Sequence, residues 1–153
     1  MCNMQRLSLA ILSILFFCLT VSSQSPVVWK TSVAMTDDAH GVFTAEAQLQ
    51  DGWHMYGFEI DQGGPVPLSI DLSQSAGIAF QGQIKASIQP IVAYDEMFRL
   101  KLEWWVGNVT FSQEFKVVDK DLAIIVGTIK YMACEGVSCM PPKKENISLK
   151  INH

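Results

Sequence analysis

The chain has 153 residues, 49% of them apolar, and a formal net charge of −4 at pH 7. This length corresponds to one ordinary domain with enough apolar side chains to form a hydrophobic core. The acidic balance, without a stripe of basic residues, argues against nucleic acid as a partner.

The first residues predict a secretory signal peptide over 1–23. Arg6 supplies its positive charge, residues 7–21 are almost all apolar, and the small residues Val21-Ser22-Ser23 precede Gln24 as a cleavage site. The apolar run is too short and wrongly flanked for a spanning helix, so we expect no membrane span after cleavage. A lipid anchor on Cys18, preceded by bulky residues, and an uncleaved anchor are the alternatives. Cleavage leaves residues 24–153 and, without Arg6, a formal charge of −5.

Residues 24–153 are predicted to form a single all-β domain. No segment has a sustained apolar period of 3.6 residues, and turn residues recur about every ten positions, which is typical of β-sandwiches and barrels. Eight or nine short strands with hairpin-like spacing predict two packed antiparallel sheets. The predicted strands cover residues 27–35, 42–49, 53–58, 68–72, 78–83, 100–106, 109–118, 122–132 and 147–151.

Alternation along these strands predicts which side chains face the core. Residues 43, 45, 47 and 49 are apolar and alternate with polar ones, as do residues 109, 111, 115 and 117. Trp104 and Trp105 must point to opposite faces, so at most one of them lies in the core. Gly107-Asn108 is expected to be the turn of a hairpin between 100–106 and 109–118. Residues 84–98 are harder to assign, and a loop is predicted at Tyr94-Asp95-Glu96.

Two cysteines, Cys134 and Cys139, remain after removal of the signal peptide, with Pro141-Pro142 directly behind them. In an exported chain this pair is most simply a disulfide. A static disulfide here would stabilise the fold by only about 2 kcal/mol, because closing so short a ring restricts the unfolded chain little. A pair this local can also open without unfolding the domain, which thiol–disulfide exchange requires.

A metal site is the third interpretation. The two thiolates together with Met132 and Met140 would offer soft ligands to Cu(I). His40, His54 and His153 show no zinc-ligand spacing, and we expect neither metal nor cofactor. His54, beside Trp53, is interpreted as a strand-face residue.

The cysteine run resembles the N-terminal periplasmic domain of the thiol:disulfide interchange protein DsbD. The resemblance extends over about residues 27–151. It is carried by Tyr131-x-x-Cys134, by Cys139-x-Pro141-Pro142 and the strand with Ile147 and Leu149 behind it, and by the stretches 51–56 and 91–98 upstream.

The resemblance implies an immunoglobulin-like antiparallel β-sandwich whose cysteine pair relays electrons. Cys139 would form the mixed disulfide with a partner and Cys134 would resolve it. The implied partners are a membrane electron donor and thioredoxin-like periplasmic oxidoreductases, including disulfide isomerases and thioredoxins of cytochrome c maturation. The alternative is a non-catalytic immunoglobulin-like interaction module with a static disulfide.

Three features depart from the family pattern. The loop between the cysteines is one residue shorter than usual. The phenylalanine-bearing cap loop is not recognisable, and Tyr56 or Met97-Phe98 are the candidates to shield the pair. The chain also ends without membrane helices or a thioredoxin-like domain. We therefore expect a stand-alone homologue, with a fragment or a relative that uses the fold for another purpose as alternatives.

Overall fold

The computed structural model of the chain describes residues 25–152, so the predicted signal peptide lies outside the described residues. Within this range the chain contains only strands and loops, and no helix in it could cross a membrane. The strands are β1 (Val27–Met35), β2 (His40–Leu49), β3 (Trp53–Tyr56), β4 (Ser69–Asp71), β5 (Ile78–Ala86), β6 (Ile91–Asp95), β7 (Leu100–Val106), β8 (Asn108–Val117), β9 (Ile124–Tyr131), β10 (Ala133–Glu135), β11 (Ser138–Cys139) and β12 (Lys143–Lys150).

The strands form an immunoglobulin-like antiparallel β-sandwich, as predicted. A four-stranded sheet has the order β1-β2-β8-β5, and a five-stranded sheet has the order β11-β10-β3-β7-β6. A three-stranded sheet, β12-β9-β4, completes the layer structure. The main-chain N–H of Tyr56 in β3 donates to the carbonyl of Met132, which lies between β9 and β10. Through Met132 the chain passes from the three-stranded sheet into the five-stranded sheet.

The main core contains the alternating positions that the sequence predicted to face inward. Those of β2 and β8 are all buried: Phe43, Ala45, Ala47, Leu49, Val109, Phe111, Phe115 and Val117. Phe111 is the centre of an aromatic group, with ring centroids 5.1 Å from Trp105 and 5.5 Å from Phe58, both edge to face. Trp105 is buried and Trp104 lies on the other face of the sheet, which confirms that one of the two tryptophans is in the core.

The predicted hairpin of residues 100–118 is wrong. β7 pairs with β3 and β6, whereas β8 pairs with β2 and β5, so the two strands belong to different sheets. The chain crosses between the sheets at Gly107, which has a φ of 66°. Alternation of apolar residues determines which face of a strand is buried, but it does not determine the neighbouring strand.

Residues 91–95 form β6, so the loop predicted at Tyr94-Asp95-Glu96 begins only after Asp95. Polar and aromatic residues at the end of this stretch resemble a loop in sequence. As the outermost strand of its sheet, β6 has every residue but Asp95 exposed, and its alternation is therefore weak.

The five-stranded sheet carries apolar side chains on both faces. Met55 and Trp105 point into the main core, while a second, smaller cluster covers the outer face. The buried members of this outer cluster are Tyr56, Leu102 and Cys134. Half-buried apolar residues pack around them: Ile60, Phe98, Leu100, Trp104, Met132 and Cys139.

Candidate functional site

The two cysteines are joined in a disulfide within a very short hairpin. Cys134 in β10 lies directly opposite Cys139 in β11, and their Cα atoms are 4.0 Å apart. The N–H of Met140 donates to the carbonyl of Ala133 at 3.0 Å, so Ala133 and Met140 form the hydrogen-bonded pair next to the two cysteines. The cysteines therefore occupy the non-hydrogen-bonded position, at which facing side chains are closest.

Gly136 and Val137 form the two-residue turn of this hairpin. Gly136 has a φ of 56°, the conformation that the first central residue of a type II′ turn requires. Val137 is 90% exposed at the tip of the hairpin. The sequence Glu-Gly-Val-Ser thus makes a tight turn that brings the cysteines face to face.

The two sulfur atoms differ in their access to solvent. Cys134 is fully buried in the outer cluster, whereas Cys139 is half-buried on β11, the outermost strand of the sheet. The Met97 Sδ lies 3.8 Å from the Cys139 Sγ. Because a disulfide sulfur has no S–H to donate, this approach is a van der Waals contact.

Met97 and Phe98 belong to a tight loop, residues 96–99, that Asp95 organises. The Asp95 Oδ1 accepts hydrogen bonds from the main-chain N–H of Met97 at 2.9 Å and of Phe98 at 3.0 Å. The N–H of Arg99 donates to the Asp95 carbonyl at 2.8 Å, and Arg99 has a φ of 56°. One aspartate thus determines where both side chains of the loop lie.

Tyr56 connects this loop to the centre of the sheet. Its hydroxyl donates to the Asp95 Oδ2 at 2.9 Å, and its ring meets that of Phe98 edge to face at 5.7 Å. Burial raises the pKa of Tyr56 well above its ordinary value, and the hydrogen bond to Asp95 raises it further. The phenol therefore remains a protonated donor at neutral pH.

His54 is the direct neighbour of Cys134 across the β3–β10 ladder. Its ring lies edge to face against Tyr56 at 5.0 Å and is tilted against Trp104 at 5.7 Å. Its Nε2 is buried without a hydrogen-bond partner. Burial lowers the pKa of His54, and the nearby Asp95 carboxylate offsets part of that effect.

The structure brings together all five residues that the sequence singled out. Cys134, Cys139, Tyr56, Met97 and Phe98 lie in or beside the outer cluster. Met132 also packs in this cluster, but Met140 packs against the main core, so the two methionines of the copper interpretation do not converge. Among residues 25–152, no group of three or more His, Cys, Asp or Glu side chains is arranged to hold a metal ion.

Sequence reasoning missed Asp95 and His54. The sequence predicts a loop at Asp95 but not the turn that its carboxylate holds, although an aspartate two or three residues before the amides that it binds is a local signal for such a turn. No local signal marks His54, because its position beside Cys134 follows from the pairing of strands far apart in sequence.

Comparison with known proteins gives a family match over nearly all described residues. The family described as "Thiol:disulfide interchange protein DsbD, N-terminal" matches residues 24–151. No significant match was found among curated protein sequences.

Two of the solved structures that are similar to this chain are N-terminal domains of other proteins. The N-terminal periplasmic domain of ScsB from Proteus mirabilis has a TM-score of 0.60 and 20% sequence identity, with 86% of this chain and 49% of that chain covered. This chain therefore spans about half the length of that structure, and the likeness concerns the fold. The reduced N-terminal domain of DsbD from Neisseria meningitidis has a TM-score of 0.48 and 19% identity, with 82% of this chain and 86% of that chain covered.

Proposed function

Since the chain belongs to the family of DsbD N-terminal domains, we propose that it exchanges disulfides with other redox proteins through Cys134 and Cys139. The observation that carries this proposal is the unequal access of the two sulfurs. A partner can approach Cys139 on the outermost strand, whereas Cys134 is enclosed in the outer cluster. Exchange needs this asymmetry, because one sulfur must react with the partner while the other waits to resolve the intermediate.

The reaction transfers two electrons in two steps. In the reduced domain the Cys139 thiolate attacks the disulfide of a partner, a Cys139–partner disulfide forms, and one partner sulfur leaves as a thiolate. The Cys134 thiolate then attacks the Cys139 Sγ, the Cys134–Cys139 bond forms, and the second partner sulfur leaves. The domain ends oxidised and the partner reduced. A donor dithiol restores the domain by the reverse sequence.

Tyr56, Met97 and Phe98 are proposed to shield the pair between reactions. The Met97 thioether touches the Cys139 sulfur, and Phe98 rests on the Tyr56 ring beside it. A loop of four residues can move away without disturbing the ladders of β6 and β7, so a partner could displace it on docking. The contact supports a protective role against thiols other than the correct partner.

The proposed partners are a membrane electron donor and thioredoxin-like oxidoreductases of the periplasm. They are the partners that the family resemblance implies, and a domain of residues 24–153 released from its signal peptide would meet them there. No cofactor takes part, because both electrons are carried by the two sulfurs.

A redox titration tests whether the disulfide is exchanged or static. We expect purified protein equilibrated in glutathione buffers, with free thiols trapped for mass measurement, to become reduced at a poise between about −180 and −300 mV. A structural bridge would remain fully oxidised at roughly −300 mV. That result would leave the non-catalytic interaction module as the better description.

Trapping variants test the roles of the two sulfurs. Cys134→Ser should accumulate a mixed disulfide with a thioredoxin-like protein in periplasmic extracts, because nothing resolves the bond to Cys139. Cys139→Ser is the matched control and should trap little, since Cys134 is buried. Equal trapping by both variants would contradict the assigned roles, and glutathione adducts alone would contradict the assigned partner class.

A further inference from the structure

His54 occupies a position that the exchange steps described so far do not use. In an antiparallel ladder, directly opposed residues place their side chains on the same face, with Cβ atoms about 5 Å apart. Cys134 opposes both His54 in β3 and Cys139 in β11, so the three side chains form one row across three strands. The imidazole is the ionisable side chain next to the buried sulfur in this row.

A buried nitrogen without a hydrogen-bond partner lowers the stability of the fold. The His54 Nε2 is buried and makes no hydrogen bond while the cysteines are oxidised. A disulfide offers it no S–H, but reduction would create a thiol at Cys134 in the adjacent position. In the tautomer that carries its proton on Nδ1, Nε2 is free to accept a hydrogen bond from that thiol.

The surroundings keep this imidazole neutral. The ionisable groups beside it are the Tyr56 phenol, which donates to Asp95, and the Asp95 carboxylate itself. Its neighbours on β7, Trp104 and Val106, carry no charge. Burial outweighs the attraction of Asp95 and lowers the pKa of His54, so the ring enters the reaction as a base.

We propose that His54 accepts the proton of the Cys134 thiol when Cys134 resolves the mixed disulfide. This inference rests on the exchange function proposed above. A buried thiol ionises poorly, and a neutral imidazole next to it supplies the missing base.

The proton and electrons balance within this step. The Cys134 S–H proton moves to His54, and the resulting thiolate attacks the Cys139 Sγ. The bond between Cys139 and the partner sulfur breaks, and its electron pair leaves with the partner sulfur. The imidazolium, directly or through solvent, returns the proton to that sulfur. His54 is neutral again, and no further oxidant or reductant is consumed.

The test follows both steps of the reaction of reduced protein with oxidised glutathione. Acid quenching and mass measurement give the rate at which Cys139 acquires glutathione and the rate at which Cys134 displaces it, between pH 5 and pH 10. His54→Phe keeps the ring contacts with Tyr56 and Trp104, and His54→Gln keeps a polar side chain, so two independent variants remove the base. His40→Gln is the matched control, because the His40 side chain is partly exposed on β2 of the four-stranded sheet and pairs with Asp37.

We expect the resolving step of both His54 variants to be at least about tenfold slower at pH 7, so that the glutathione adduct accumulates. This difference should shrink above about pH 8.5, where a thiol begins to ionise without a base. His40→Gln should behave like the unmodified protein. Unchanged resolution, or a slower rate by the same factor at every pH, would overturn the role of His54 while leaving exchange intact. If oxidised glutathione converts the unmodified protein neither to the adduct nor to the Cys134–Cys139 disulfide, the proposed function is overturned as well.

Discussion

The two sulfur atoms of the disulfide have different neighbours although their residues face each other. Cys134 is enclosed by the outer cluster, while Cys139 is screened on its open side by the Met97 thioether. The neighbouring residue Phe98 packs edge to face on the Tyr56 ring and so holds Met97 in place. The covering of Cys139 therefore depends on a few side-chain contacts at the end of β6.

Phe98→Ala should make the disulfide more reactive toward small reagents. Loss of the contact with Tyr56 leaves the loop without its apolar support, so we expect reduction by dithiothreitol to accelerate severalfold. The free energy of unfolding should fall by roughly 1–3 kcal/mol, less than for a fully buried phenylalanine. Stopped-flow reduction and urea unfolding measure the two effects.

Phe80→Ala is the matched control for this prediction. Phe80 is also half-buried, but it packs on Phe115 in the four-stranded sheet, at a ring distance of 6.4 Å. Its truncation should lower stability without changing the rate of disulfide reduction. Equal acceleration in both variants would mean that general loosening of the domain, and not the loss of the screen, controls the reactivity.

At the scale of secondary structure, the site consists of a hairpin at one edge of the five-stranded sheet and a loop that follows the strand at its other edge. β10 and β11 are at one end of the strand order and β6 is at the other, with β3 and β7 between them. The loop after β6 reaches back over the outer face to touch the hairpin. Asp95 is the residue on which this return depends, since its carboxylate binds the loop and Tyr56 together.

Asp95→Ala should release the loop from the sheet. The substitution removes three hydrogen bonds to one carboxylate, and we expect a loss of roughly 1–3 kcal/mol in stability. Hydrogen exchange of the Met97 and Phe98 amides should become at least about tenfold faster, because 1.4 kcal/mol of lost protection corresponds to tenfold. Exchange measured by NMR at these two amides checks the prediction.

Tyr56→Phe separates the two parts of this effect. It removes only the bond from the phenol to Asp95 and leaves the two amide bonds in place. The Met97 and Phe98 amides should therefore stay better protected in Tyr56→Phe than in Asp95→Ala. If Tyr56→Phe exposes them equally, the anchor to the sheet, and not the turn itself, holds the loop.

Over the whole molecule, two apolar clusters share one sheet. The main core, between the sheets, contains the large buried side chains of β2, β8 and β9, while the disulfide belongs to the smaller outer cluster. The fold therefore has a core that does not include the disulfide. We therefore expect the sandwich to persist when the disulfide is reduced.

Reduction should leave the domain folded and lower its free energy of unfolding by roughly 2 kcal/mol. This value corresponds to the chain entropy that the unfolded state gains when a ring of about six residues is opened. Urea unfolding with and without reductant measures it, and a Cys134→Ala/Cys139→Ala double variant should show no response to reductant. Unfolding of the reduced protein in the absence of urea would contradict the separation of the two clusters.

Much of the site could be predicted because its signals are local. The cysteine pair of the exported chain predicts a local disulfide, and the shielding candidates Tyr56, Met97 and Phe98 do lie beside it. The roles of these five residues remain predictions. The bond of Asp95 to Tyr56 and the position of His54 opposite Cys134 were not predictable in the same way, because each joins residues that are distant in sequence.

The sequence by itself determined the all-β class, the inward faces of β2 and β8, the disulfide partners and the family resemblance. Alternation, turn residues and motif spacing are properties of short stretches, and they persist in any arrangement of the strands. Only the tertiary structure decided that β7 and β8 separate at Gly107, that His54 lies opposite Cys134, and that the loop after β6 covers Cys139. These features depend on which strands pair across the whole chain, and that choice is made by the packing of the two clusters together.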